Sequence, residues 1–123
     1  MVEQLKRYLW SLLQMVEGLE AIVITDRDGV PVIKVKSDET PEHAMRPAFL
    51  ATFAMAADQA SKLGLSANKS IICTYTSHQV VHFNKQPLFV SLIASRKANT
   101  GLLMDLESEV EGLLPELKAA IDI

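Results

Sequence analysis

Residues 41–65 read PEHAMRPAFLATFAMAADQASKLGL, and this stretch decides the fold: it is the one long helical segment with strand-like sequence on both sides. Met45, Phe49, Phe53, Ala56, Ala60 and Leu63 recur at three- and four-residue spacing, and Leu50 and Ala57 widen the stripe. That period lays one face of an amphipathic helix on a core. The opposite side is poor in charge. Ala48, Ala51, Thr52 and Met55 sit there, diluted by Asp58, Gln59 and Lys62. A back of small residues lets a second backbone approach and would make a second buried contact; alanine's helix propensity accounts for the same residues without one. Thr40-Pro41-Glu42 reads as a cap followed by proline, but Pro47 lacks an N–H and restricts Arg46. The main helix is therefore expected to start near Arg46–Pro47, after a turn at 41–45, and to end at Gly64.

Upstream, residues 3–16 predict a helix with Leu5, Tyr8, Leu9, Leu12 and Val16 on one face, ended by Gly18. Ala21-Ile22-Val23-Ile24 is apolar on both alternating faces, as a central strand is. Asp26-Arg27-Asp28-Gly29 is turn chemistry. Val30–Val35 returns as a hairpin strand, and Pro31, Lys34 and Lys36 place it at a sheet edge. Ser37–Thr40 is a polar loop.

Downstream, Ile71–Thr76, Val80–Asn84 and Leu88–Ala94 read as strands, joined by turns at Ser77-His78-Gln79 and Lys85-Gln86-Pro87. Turns this short allow only antiparallel neighbours. Asn99 caps a last helix from Thr100 to about Asp122. Its stripe is Leu102, Leu103, Leu106, Val110, Leu113, Leu114, Leu117 and Ile121, and Gly112 and Pro115 kink or fray its middle. The runs 21–24 and 88–94 both look buried on two faces, so they belong side by side. The sheet then reads 2-1-5-4-3 in one α/β (α+β) domain spanning 1–123, with helices on both faces. That order leaves 71–76 on an open edge, which has to be covered or paired.

Composition narrows the function. The chain has 123 residues, the size of one domain, with a net charge of −3 and a single cysteine. The mild acidity and scattered Lys62, Lys69, Lys85, Arg96 and Lys97 argue against nucleic acid. The lone Cys73 excludes an internal disulfide and fits a reducing compartment. No apolar run is long enough to span a membrane, the N-terminal segment lacks a signal peptide's apolar core, and Val2 stands where myristoylation needs glycine. Direct membrane insertion is not expected.

Catalytic chemistry is sparse. On a strand, Cys73 packs among Ile71, Ile72 and Tyr75 as a small buried thiol, a poor setting for a nucleophile. His78 and His82 on one strand stand roughly 13 Å apart, too far to share a metal. Asp26-x-Asp28-Gly29 lacks the later oxygens of a calcium loop. Glu107, Glu109 and Glu111 read as a solvated face. No cofactor, no metal and no enzyme are expected.

The strings GLEAIVITDRDGVPVIKV, PEHAMRP followed by FL, TFA and SKLGL, NKSIICTY and ASRKANTGLL resemble the MEK-partner scaffold family, roadblock-type subunits of the lysosomal Ragulator complex. The likeness runs from about Leu5 to Leu117. It implies a roadblock/profilin-like fold and a heterodimer with a second roadblock subunit, in which the long helices pack together and the third strands join the sheets. Mapped here, that interface is Ala48, Ala51, Thr52, Met55 and Gln59 with Ser70, Ile71, Ile72, Cys73, Thr74 and Tyr75. The resemblance further implies other Ragulator subunits, Rag GTPases serving mTORC1, and MEK and ERK kinases as partners. It also implies peripheral attachment, through a lipidated partner, to the cytosolic face of late endosomes and lysosomes. A small-molecule-sensing or GTPase-regulating domain of roadblock or PAS type is one alternative. A cysteine hydrolase built on Cys73 is the other; both rank well below the scaffold.

Overall fold

The structure, a computed structural model, describes residues 2–121. In chain order it contains α1 (Val2–Met15), β1 (Leu19–Thr25), β2 (Pro31–Lys36), α2 (Pro47–Ala60), β3 (Ser70–Thr74), β4 (His78–Lys85), β5 (Leu88–Ser95), α3 (Thr100–Glu111) and α4 (Leu114–Ile121). One-turn 3-10 helices, Glu42–Met45 and Ser61–Leu63, flank α2. The five strands form one antiparallel sheet in the order β2-β1-β5-β4-β3, the order expected from the two doubly apolar runs. Every residue of β1 is buried, and β5 is buried from Leu88 to Ala94.

The helices divide between the faces. Leu5, Leu9, Leu12, Leu13 and Val16 of α1 join Leu103, Leu106 and Val110 of α3 and Leu114 and Leu117 of α4 over Ile22, Ile24, Val81, Phe83, Val90 and Leu92. Tyr8, expected on that buried face, lies at its rim instead. Its hydroxyl donates to Glu109 Oε2 at 2.6 Å, which pins α1 to α3. On the other face, Leu50 of α2 packs with Ala44 and Met45 over Ala21, Val23, Val80 and Ile93.

The boundaries of α2 follow local chemistry. Arg46 is extended (φ −76°, ψ 139°), as a residue before proline must be, and Pro47 begins the helix. Gly64 takes φ 82° and closes the segment. After Ala60 the chain tightens to 3-10 geometry, and this turns Leu63 outward to 73% exposure instead of into the core stripe. The last helix breaks, as Gly112 and Pro115 predict, into α3 and α4; its expected end at Asp122 lies outside the described residues. Asn99 caps α3 by accepting from the Leu102 N–H at 3.1 Å. Leu102, assigned to the stripe, is half exposed.

The turn expected at Ser77-His78-Gln79 is shorter than the sequence suggests, because His78 and Gln79 already belong to β4. Gln79 is held by its side chain: its amide donates to the carbonyls of Ser95, Arg96 and Ala98 at 3.2, 3.3 and 2.9 Å, and it accepts from Thr100 Oγ1 at 2.6 Å. The three glutamates of α3 are not a free solvated face. Lys85 Nζ lies 2.7 Å from Glu107 and 3.6 Å from Glu111, and Glu109 holds Tyr8. The hydrogen bond that Lys85 donates to Glu107 pushes its ammonium above its ordinary pKa.

Candidate interaction surface: an open strand edge beside an exposed helix face

Among the described residues β3 pairs only with β4. At its two ends, Tyr75 N–H donates to the His78 carbonyl and Asn84 N–H to the Lys69 carbonyl, both at 2.8 Å. Antiparallel pairing alternates, so Lys69, Ile71, Cys73 and Tyr75 are the positions bonded to β4. The N–H and C=O groups of Ser70, Ile72 and Thr74 therefore point away from the sheet. Side chains alternate as well. Ile71 and Cys73 lie opposite His82 and Val80 on the α2 face, whereas Ser70, Ile72 and Thr74 lie opposite Phe83, Val81 and Gln79 on the other. Ile72 is 47% exposed.

α2 borders this edge. At 100° per residue its buried ridge is Leu50, Phe53, Ala54 and Ala57, and its outermost line is Ala48, Thr52, Met55 and Gln59, all exposed, with Met55 at 69%. Phe49, Ala56 and Ala60 flank that line on the β3 side, where the Phe49 ring lies 6.4 Å from that of Tyr75. Ala51 falls on the opposite flank, half-buried against the β1–β2 turn. Gly29 makes that approach possible: at φ 81°, a Cβ there would collide with the Pro47 carbonyl and lie 2.7 Å from the Ala51 nitrogen. Asp58 on the same flank pairs with Arg27 of the turn. Within that turn, Asp26 Oδ1 accepts from the Asp28 and Val30 N–H groups at 2.9 and 3.0 Å, so its carboxylate is engaged by the hairpin itself.

Sequence periodicity missed the apolar extension of this surface. Leu63 and Leu65, 73% and 81% exposed, continue it past the end of α2. The signal was the clustering of leucines around Gly64 with no polar alternation.

The remaining chemistry is weak. Cys73 is partly buried rather than fully buried; burial pushes its thiol up, opposed by a hydrogen bond from Tyr75. A thiol held protonated at neutral pH is a poor nucleophile. His78 Nε2 lies 3.1 Å from Glu20 Oε1, while His82 Nδ1 lies 2.8 Å from Ser91 Oγ, so the two histidines have separate partners. Among the described residues no group of three or more His, Cys, Asp or Glu side chains could hold a metal ion. The cleft between the start of α2 and the ends of β3–β5, about 350 Å³, is lined mainly by apolar groups including Ala44, Phe49, Val80 and Ile93. It is open to solvent, and a larger cleft of about 500 Å³, lined by polar groups including Glu17, Glu20, Glu39, Lys97 and Asn99, is partly open as well. No helix among the described residues is long and apolar enough to cross a membrane.

The sequence model of the family described as "mitogen-activated protein kinase kinase 1 interacting" matches residues 3–121. The chain belongs to this family. It is 61% identical to a protein of Pagrus major named Ragulator complex protein LAMTOR3, over 100% of this chain and 99% of that one. Its identity to the Homo sapiens protein of the same name is 60% over the same shares. The structure resembles a roadblock/LC7 domain from Streptomyces avermitilis (TM-score 0.70, 16% identity, 88% of this chain and 92% of that one). It also resembles the gliding protein MglB from Thermus thermophilus (TM-score 0.76, 12% identity, 94% and 88%) and a profilin from Acanthamoeba castellanii (TM-score 0.61, 16% identity, 88% and 94%). The fold of this family member is therefore the roadblock/profilin-like one, as the sequence resemblance implied.

Proposed function

We propose that this chain is a non-catalytic scaffold subunit that pairs through β3 and α2 with a second roadblock-type subunit. The observation that carries this reading is the row of outward backbone groups at Ser70, Ile72 and Thr74 beside the exposed Thr52, Met55 and Leu63. Adding a partner strand satisfies the row, and adding a partner helix covers the apolar line. The near full-length likeness to proteins named as Ragulator components supports a place in a complex of that kind. In that setting the pair joins other Ragulator subunits and supports Rag GTPase signalling to mTORC1, and holds MEK and ERK kinases, on the cytosolic face of late endosomes and lysosomes. A lipidated partner supplies the attachment. The mechanism is co-localisation: holding partners on one surface raises their effective concentration with no bond made or broken.

The test is the solution mass of the full chain, alone and after co-expression with a candidate roadblock subunit. A stable one-to-one complex is expected, with the lone chain self-associated or poorly soluble. A soluble monomer indifferent to the partner overturns the reading.

A further inference from the structure

The two faces of the sheet are held unequally. Among the described residues, twenty-two buried apolar residues form the cluster under α1, α3 and α4, whereas the contiguous one under α2 has seven, two of them alanines, with Phe53, Ala54 and Ala57 of α2 buried beside it. A polar pair sits within the thinner layer. His82 of β4 is 4% exposed, its ring stacks on Phe53 of α2, and Nδ1 lies 2.8 Å from Ser91 Oγ of β5. Among the described residues, Nε2 is buried with no partner. A buried polar atom left unsatisfied weakens the closed state, because in water it would be hydrogen-bonded.

We propose that α2 detaches from the sheet and unfolds locally over the His82–Ser91 pair, and that protonation of His82 favours the open form. The layer's other boundary, the outer face of α2, is the surface assigned above to a second subunit. That such a subunit closes the layer rests on the scaffold reading; the opening itself does not.

The charges around His82 are few. β3 places Ile71 opposite it and Cys73 diagonally on the same face. α2 brings Asp58, which is paired with Arg27. Along β4, His78 faces Glu20 and Ser77, and His43 is exposed on the 3-10 helix before α2. Lys34 and Lys36 lie on the same face at the far edge of the sheet. Burial is the cause that moves His82, from the ordinary 6.5 to about 3 in the closed layer. In an opened layer the imidazole meets water and regains its ordinary value. The closed state thus binds fewer protons than the open one. Its stability is full above the ordinary pKa and is lost as pH falls toward 3. Between pH 7.5 and 5.5 the opening constant rises about tenfold.

Hydrogen exchange on the full chain at these two pH values, corrected for intrinsic rates, tests this. Amides of α2 are expected to exchange through a smaller opening than those of β1 and β5, with the opening constant about tenfold larger at pH 5.5. His82→Gln is expected to flatten the pH response. His82→Leu is expected to flatten it and to slow α2 exchange. Protection of α2 equal to that of β1 and β5, or an undiminished pH response in both variants, overturns the proposal. A candidate second subunit is expected to slow α2 exchange at both pH values. If it does not bind, the scaffold reading fails while the tenfold rise in the lone chain stands.

Discussion

The two edges of the sheet expose the same kind of backbone row and are built from opposite residues. On β2, Ser37 N–H donates to the Glu20 carbonyl at 2.8 Å, and the alternation makes Ile33 and Val35 the bonded positions. The groups facing outward are those of Lys34 and Lys36, and Pro31 opens the strand with no N–H to offer. Lysine and proline are the residues that keep other strands from adding to an edge. On β3 the outward positions are Ser70, Ile72 and Thr74, none charged, and an exposed apolar helix line runs beside them. One edge is blocked and the other is open. The difference teaches that the open edge is specified by the sequence and is not a by-product of where the sheet happens to stop.

Proline substitution breaks this comparison most sharply. In Ile72→Pro the lost N–H pointed outward, so the bonds of β3 to β4 survive. Pairing with a second roadblock subunit is expected to weaken by about a hundredfold, ~3 kcal/mol, in a binding titration. Lys34→Pro makes the same change on the blocked edge and is expected to leave that affinity unchanged. Cys73→Pro differs from both, because the Cys73 N–H belongs to the ladder with β4. It is expected to lower the thermal midpoint of the lone chain as well as to abolish pairing. Equal affinities for Ile72→Pro and Lys34→Pro would remove β3 from the interface.

Met55→Arg probes the helix beside the open edge. A guanidinium buried without a partner at the centre of a packed contact is expected to weaken pairing by about 10- to 100-fold, with little effect on the lone chain's stability, since Met55 is 69% exposed there. Ala51→Arg, on the flank facing the hairpin, is expected instead to destabilise the lone chain by about 1–3 kcal/mol through overpacking. The same instability from both substitutions, measured by chemical denaturation, would mean that the outermost line of α2 is internal packing.

The edge contrast was legible before any coordinates. Pro31, Lys34 and Lys36 marked one strand as peripheral, and the apolar runs 21–24 and 88–94 could only sit in the centre, which left 71–76 outside. Ala48, Ala51, Thr52 and Met55 stood out as the charge-poor back of a helix. Features that depend on a distant partner were not legible. Nothing in the local period says that Gln79 meets three carbonyls at the end of β5 and in the loop after it, that Glu107 and Glu111 meet Lys85, or that Glu109 meets Tyr8. Nor could periodicity foresee Leu63 and Leu65, since it assumes the helix continues where the chain tightens to 3-10 geometry. It grouped Ala51 with the outer line because Gly29, 22 positions earlier in the chain, is what draws a turn against that flank.

The smallest expected effect concerns the one thiol, and it sharpens the contrast at a single side chain. Cys73 lies on the open edge strand but points to the α2 face, opposite Val80. Burial raises its pKa, so at neutral pH nearly all of it is the unreactive thiol. Alkylation of the folded lone chain at pH 7.4 is therefore expected to be slower than that of the unfolded chain. Because the thiolate forms later than in an ordinary cysteine, the rate is expected to keep climbing through the pH range where the unfolded chain levels off. A second subunit on β3 would add a backbone neighbour at Ser70, Ile72 and Thr74 without covering Cys73 directly, so it is expected to slow the reaction only about two- to fivefold, by suppressing the openings that expose the thiol. A lone-chain rate matching the unfolded chain would show that Cys73 is freely accessible, and the layer between α2 and β3 would then be looser than its packing indicates.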